Sequence, residues 1–220
     1  MRLVVDGLRF GYPGAARPVL RAVSFEVPVG SSAAIVGPSG SGKTTLLSVL
    51  GGLLPPGGGE FRCVDDAGAA HAPREVATWV LQTVSLLPER TVEDNVCLGA
   101  YLDGARREVA RGRAAEALAL VGLSDRAGER AGLLSGGEAQ RVAIARALAS
   151  VRPVIFADEP TGQLDASTTE RVLDSFFELA PRTIVLITHD EAAAARCDVV
   201  FRLVDGTLVR SGTGMGSADA

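Results

Sequence analysis

Between the apolar run SSAAIVG and the helix-like stretch TTLLSVL the chain reads GPSGSGKTT, from Gly37 to Thr45. No other segment constrains the fold as tightly. An apolar run closed by glycines and followed by a helical pattern predicts a buried strand, a backbone loop and a helix starting inside that loop. Gly37, Gly40 and Gly42 let the backbone wrap inward where a Cβ would obstruct it, so that N–H groups face an anion. The spacing is G-x-x-x-x-G-K-[ST], and the predicted strand and helix are the context that this phosphate-loop pattern requires. Pro38, Ser39, Ser41 and Thr45 complete the cradle. Lys43 is placed to reach β- and γ-phosphates and the Thr44 hydroxyl to ligate Mg²⁺. Lys43 is also the only lysine, the basic residues being nearly all arginine. A compact ammonium is hard to replace by a planar fork.

The apolar run VIFADEP supplies a partner for this loop. It predicts a buried strand ending in Asp158, whose carboxylate is suited to hold Mg²⁺ from the opposite side. Glu159 follows at once and is the candidate general base or water-orienting carboxylate at the γ-phosphate. Two acids at a strand end are often just solvated; downstream of a phosphate loop the functional reading wins.

The flanking sequence is an alternation of strands and helices. LVVDGLRFGY and VLRAVSFEV have apolar alternation, and a strand is predicted over about Ala77 to Gln82. From Thr91 to about Ala149 the pattern turns helical, opening on the capping-box signature TVED and including REVARGRAAEALALVGL. VIFADE, STTERVLDSFFEL, TIVLIT, DEAAAARC and DVVFRLVDG then alternate strand with helix, which predicts an α/β fold with a parallel sheet and crossover helices. At 220 residues the chain suits one domain over 1–210, with SGTGMGSADA (211–220) as a disordered tail. The stretch from Gly58 to Arg74, including VDDAGAAH, fits no pattern, and His71 reads as a surface residue.

A net charge of −4 gives no basic footprint for nucleic acid. Cys63, Cys97 and Cys197 have no metal-ligand spacing and read as buried thiols of a cytosolic protein. No apolar run approaches the ~20 residues that span a bilayer, and MRLVVDGLRF has charge too early for a leader.

One stretch is unexplained by a single phosphate site. LLSGGEAQR, Leu133 to Arg141, places Ser135, Gly136 and Gly137 at the start of the helical run RVAIARALA. Free N–H groups and the positive end of a helix dipole again suit an anion. LSGGEAQR resembles the signature motif of the ATP-binding-cassette (ABC) ATPases, and further cassette motifs stand around it in order. Tyr12 matches the aromatic that stacks on adenine, though by itself it reads equally as a packing residue. Gln82 matches the glutamine that contacts Mg²⁺ and senses the γ-phosphate. Asp165, in TGQLD, matches the loop at the dimer interface. His189, after TIVLIT, matches the switch histidine at the γ-phosphate.

The resemblance covers about residues 3 to 210. It implies a P-loop NTPase cassette with a RecA-like parallel-sheet core, an N-terminal antiparallel β subdomain and an inserted α-helical subdomain at about 84–149. It implies ATP and Mg²⁺ as ligands and a head-to-tail homodimer. In that dimer Ser135, Gly136 and Gly137 of one protomer close over ATP on the other's phosphate loop. A separately encoded transmembrane permease would dock near Gln82, which places the chain in the cytoplasm on the inner face of the membrane. LLPERTVEDNV, ADEPTGQLD and LSGGEAQRVAIARAL are similar to the lipoprotein-release, macrolide-export and cell-division branch, where TGNLD is usual and this chain has Gln163. Export driven through the permease is the expectation; force transmission through a non-transporting membrane partner is the alternative.

Overall fold

The computed structural model describes residues 1–162, 164–178 and 182–213. They form two compact units. One comprises the described residues of Met1–Ala77, Pro153–Asp158 and Pro181–Ala220, the other those of Thr78–Arg152 and Glu159–Ala180.

The first unit opens with β1 (Arg2–Phe10), β2 (Leu20–Val27), β3 (Ser32–Val36), α1 (Lys43–Leu50), β4 (Gly58–Val64), β5 (Ala70–His71) and α2 (Pro73–Val76). β1, β2, β4 and β5 make an antiparallel sheet in the order β2-β1-β4-β5. Leu3 and Val5, then Leu8 and Phe10, are its buried residues on β1. That change of parity coincides with a register jump between Val5 and Leu8, since one inserted residue returns the following side chains to the core face.

β6 (Ala77–Val80) is followed by the helices α3 (Val92–Leu102), α4 (Arg107–Leu120) and α5 (Gly136–Ala149). The chain then runs through β7 (Val154–Asp158), α6 (Ala166–Glu178), β8 (Thr183–Ile187), α7 (Glu191–Ala195), β9 (Val199–Val204) and β10 (Thr207–Thr213). In the first unit the second sheet has the order β10-β9-β3-β8-β7. β9, β3, β8 and β7 are parallel, and β10 is antiparallel to β9. Every residue of β3, β7 and β8 is buried, which is why SAAIV, VIFAD and TIVLI are continuous rather than alternating apolar runs.

In the second unit α3, α4 and α5 pack on one another and α6 packs on α4 and α5. Thr91 caps α3 by accepting from the Asp94 N–H at 3.0 Å. At the other end Asp103 accepts from the Val151 N–H at 2.7 Å and from Arg152 Nε at 3.1 Å, fixing the end of α3 to the segment after α5.

Three sequence expectations change. The strand expected to reach Gln82 stops at Val80. The unpatterned stretch is the hairpin β4–β5: Asp65 Oδ1 accepts from the N–H groups of Ala67 and Ala69 at 3.0 and 2.8 Å, and Oδ2 pairs with His71 Nε2 at 2.8 Å. A carboxylate folding its own turn organises this segment, so hydropathy carries little of its signal. The expected tail begins too early, because β10 pairs with β9 as far as Thr213 opposite Val199; residues 214–220 lie outside the described residues. The three cysteines are buried, and burial pushes the Cys63 and Cys197 thiols up to about 12. Among the described residues no helix is long and apolar enough to cross a membrane.

Candidate functional site

In the first unit Ile35 of β3 and Asp158 of β7 are both register partners of Ile187 on β8. Two strand spacings of about 4.8 Å place them about 10 Å apart. The phosphate loop leaving β3, Asp158 at the end of β7, and Thr188 and His189 leaving β8 therefore share one edge of the sheet. Open α/β sheets bind ligands at the carboxyl ends of their strands.

The loop is shaped around a charge. Lys43 Nζ donates to the carbonyls of Gly37 and Pro38 at 2.8 and 3.1 Å. A Cβ on Gly37 would collide with the Leu203 carbonyl oxygen. Ser41 is only 7% exposed, and its hydroxyl has no hydrogen-bond partner among the described residues. α1 starts at Gly42 without a side-chain cap and without an acid in its first turn, so its leading N–H groups have no compensating anion from the chain. Buried hydroxyl, uncapped helix and lone ammonium together fit a phosphate. Tyr12 stands over this helix: its hydroxyl lies 3.3 Å from Thr45 Oγ1 and its ring packs edge-on against Phe10. Tyr12 remains 48% exposed, which suits an aromatic platform.

For Mg²⁺ the unit offers the exposed Thr44 hydroxyl and the carboxylate of Asp158, 3% exposed. Among the described residues no cluster of three His, Cys, Asp or Glu could cage a metal. One hydroxyl and one carboxylate fit Mg²⁺, which takes few protein ligands and completes its shell with phosphate and water. His189 is exposed at the start of a turn set by Asp190, whose N–H donates to Thr188 Oγ1 at 3.0 Å and whose carboxylate caps α7.

The other expected residues belong to the second unit. Gln82 is exposed, two residues beyond β6. Glu159, directly after Asp158 in the chain, is half-buried and has a φ of 46°. A glutamate with positive φ is rare, and doubly so before proline; such strain gathers at functional sites. Ser135 caps α5 in a complete capping box. Its N–H and hydroxyl donate to Glu138 Oε2 at 2.9 and 2.7 Å, and Arg126 reaches Glu138 Oε1 at 3.4 Å. These hydrogen bonds from Ser135, followed by the nearby arginines, hold the Glu138 carboxyl below its ordinary value. The cradle expected to be open at Ser135 thus holds an internal carboxylate. The N–H groups of Gly136 and Gly137 stand at N1 and N2, without intrahelical acceptors. Glu138 was legible as the acid of a Ser-x-x-Glu box.

Asp165 accepts from Ser167 Oγ at 2.7 Å, from Thr168 Oγ1 at 2.7 Å and from the Thr168 N–H at 3.0 Å. The Ser167 hydroxyl, then that of Thr168, hold its carboxyl far below the carboxylate range. It is the cap of α6. Gln163 lies outside the described residues.

The chain is similar to known proteins along nearly its whole length. The model of the ABC transporter family matches residues 20–162. A lipoprotein-releasing system ATP-binding protein, LolD 1, of Rhodopirellula baltica is 43% identical over 96% of this chain and 97% of its own. A macrolide export ATP-binding/permease protein, MacB, of Rhodopseudomonas palustris is 39% identical over 94% of this chain but only 33% of its own. The dimeric post-hydrolysis ATP-binding cassette MJ0796, bound to ADP and Pi, superposes with a TM-score of 0.86 at 32% identity, covering 98% of this chain and all of that one. With the phosphate loop, the acidic strand end and the capped glycine pair in place, the chain belongs to the ATP-binding cassettes of the ABC transporter family.

Proposed function

We propose that this chain is the ATP-hydrolysing subunit of a membrane exporter, two copies closing head to tail around two ATP molecules. The observation that carries the reading is that one chain has two glycine-flanked helix starts, an uncapped one at Lys43 and one at Gly136 whose first N–H groups stand beside a capping box. In a head-to-tail pair the loop Gly37–Thr45 of one copy holds the triphosphate, with Tyr12 against adenine. Ser135, Gly136 and Gly137 of the other copy then cover the γ-phosphate. The positive ends of two helices meet the same anion, and ATP screens the protomers from one another.

Thr44 and Asp158 are the residues of the first unit that would hold Mg²⁺, which when bound neutralises charge on the triphosphate, and Gln82 stands by resemblance for the cassette glutamine. Glu159 takes the proton of the attacking water or orients it, His189 contacts the γ-phosphate, and Asp165 sets the interface loop by capping α6. Lys43 compensates charge as the terminal phosphoryl leaves. Binding closes the dimer and release of products opens it.

A closure cycle performs transport only through a membrane partner. The whole chain to about residue 210 acts as one ATPase domain, its helical part at about 84–149 inserted in the core. A separately encoded permease docks beside Gln82, holding the chain to the inner face of the membrane. The lipoprotein-releasing and macrolide-export relatives support extrusion as the direction. The test is Glu159→Gln: it should bind ATP, fail to hydrolyse it and elute as an ATP-dependent dimer on size exclusion. Full hydrolysis by this variant would sink the assignment of the base.

A further inference from the structure

The strongest unassigned polar contact lies behind the signature motif. Gln140, 1% exposed, points from α5 to the turn after Glu159, and its Nε2 donates to the Pro160 carbonyl at 3.0 Å. The acceptor fixes which end of the amide faces it, because only the NH₂ can donate. The other end, Oε1, is buried with no partner among the described residues. A leucine or methionine would remove the stranded Oε1 but would leave the buried Pro160 carbonyl without this donor, so what the amide contributes is its hold on that carbonyl.

What the amide grips is the turn that carries Glu159. Glu159 has a φ of 46°, and Pro160 offers no N–H with which to anchor it. Within the turn the Gly162 N–H donates to the Glu159 carbonyl at 3.3 Å and the Leu164 N–H to Thr161 at 3.0 Å. Gln140 reaches it from another element. The same helix begins at Ser135, five residues or about 7.5 Å earlier. α5 therefore carries the glycine pair at its tip and grips the Glu159 turn from its side.

We infer that Gln140 is a positioning residue that couples the two nucleotide sites of the dimer, holding Glu159 in place through Pro160. This rests on the head-to-tail reading. There, Ser135 and Glu159 of one chain serve different ATP molecules. A displacement of α5 when the partner's nucleotide engages its tip is passed to the carboxylate that acts on the chain's own nucleotide.

Two variants test it in the full-length protein, with ATP as the probe. Gln140→Met keeps length and approximate volume but cannot donate, whereas Gln140→Glu can donate only when protonated. For Gln140→Met, kcat should fall roughly ten- to a hundredfold, the cost of a misplaced group, while KM for ATP stays within about twofold. The Hill coefficient should drop from near ~2 toward ~1. Gln140→Glu should regain activity relative to the parent as pH is lowered. Combined with Glu159→Gln, Gln140→Met should still give the ATP-dependent dimer. A Gln140→Met protein with the parent's kcat and Hill coefficient overturns the inference, as does one that loses kcat together with the dimer. A parent that neither hydrolyses ATP nor dimerises as Glu159→Gln overturns the functional reading itself, and that result is read before Gln140 is changed.

Discussion

The Ser135 hydroxyl donates to the Glu138 carboxylate at 2.7 Å, and the Glu138 N–H donates back to that hydroxyl at 3.4 Å. One residue of the proposed phosphate cradle is thus also the cap of its own helix. Ser135→Ala should cost about 1 kcal/mol in urea unfolding, the usual loss for an N-cap, whether or not nucleotide is present. Because folding lowers the Glu138 carboxyl from 4.5, its contribution is full above that pH and fades as pH falls through the folded value. The stability difference between the parent and Glu138→Gln should therefore shrink as unfolding is repeated below pH 4.5.

Lys43→Ala removes the charge of one cradle and Ser135→Arg blocks the other. Each protein alone should be inactive. Mixed in equal amounts they should recover measurable ATPase, at most about a quarter of the parent rate, since half of randomly paired two-fold dimers are mixed, each has one intact site of two, and coupling between the sites can only lower that share. If every mixture stays inactive while both proteins fold and dimerise, the shared site is wrong.

Lys43→Arg keeps the charge but brings a planar fork into a loop whose Gly37 and Pro38 carbonyls lie 2.8 and 3.1 Å from the ammonium. ATP affinity by calorimetry should fall at least about tenfold, or ~1.4 kcal/mol. Unchanged affinity would show that the loop does not select for a compact cation.

The β4–β5 hairpin gives a control away from the nucleotide. Hydrogen bonds from His71 and from the backbone lower the Asp65 carboxyl, so its support is full above the ordinary value of 3.8 and is lost as pH falls through the folded value. Asp65→Ala should speed amide exchange at Ala67 and Ala69 and leave ATP hydrolysis unchanged. Equal protection in variant and parent would remove Asp65 as the organiser of the turn.

Much of the parallel sheet was legible because burial on both faces leaves a strong mark: SAAIV, VIFAD and TIVLI are apolar throughout. The phosphate loop was legible because its glycines and lysine answer a local geometric demand. β4, β5 and the last residues of β10 were hidden. Their order comes from the Asp65 turn and from pairing with β9, neither of which makes an apolar pattern. Gln140 was hidden for a different reason. In sequence it is one polar residue on a helix, and only folding brings it to Pro160. Asp165 was read as an interface residue on resemblance, while the hydroxyls of Ser167 and Thr168 make it a helix cap, a role that Asp-x-Ser-Thr before a helical pattern already suggests.

A chain with one lysine presents a single side-chain amine, and that amine lies inside the phosphate loop. Acylating reagents would convert this one lysine besides the α-amine, and protection of Lys43 by nucleotide would be read as the loss of a single mass shift. Acetylation of Lys43 would erase the cradle's charge without altering any other side-chain cation.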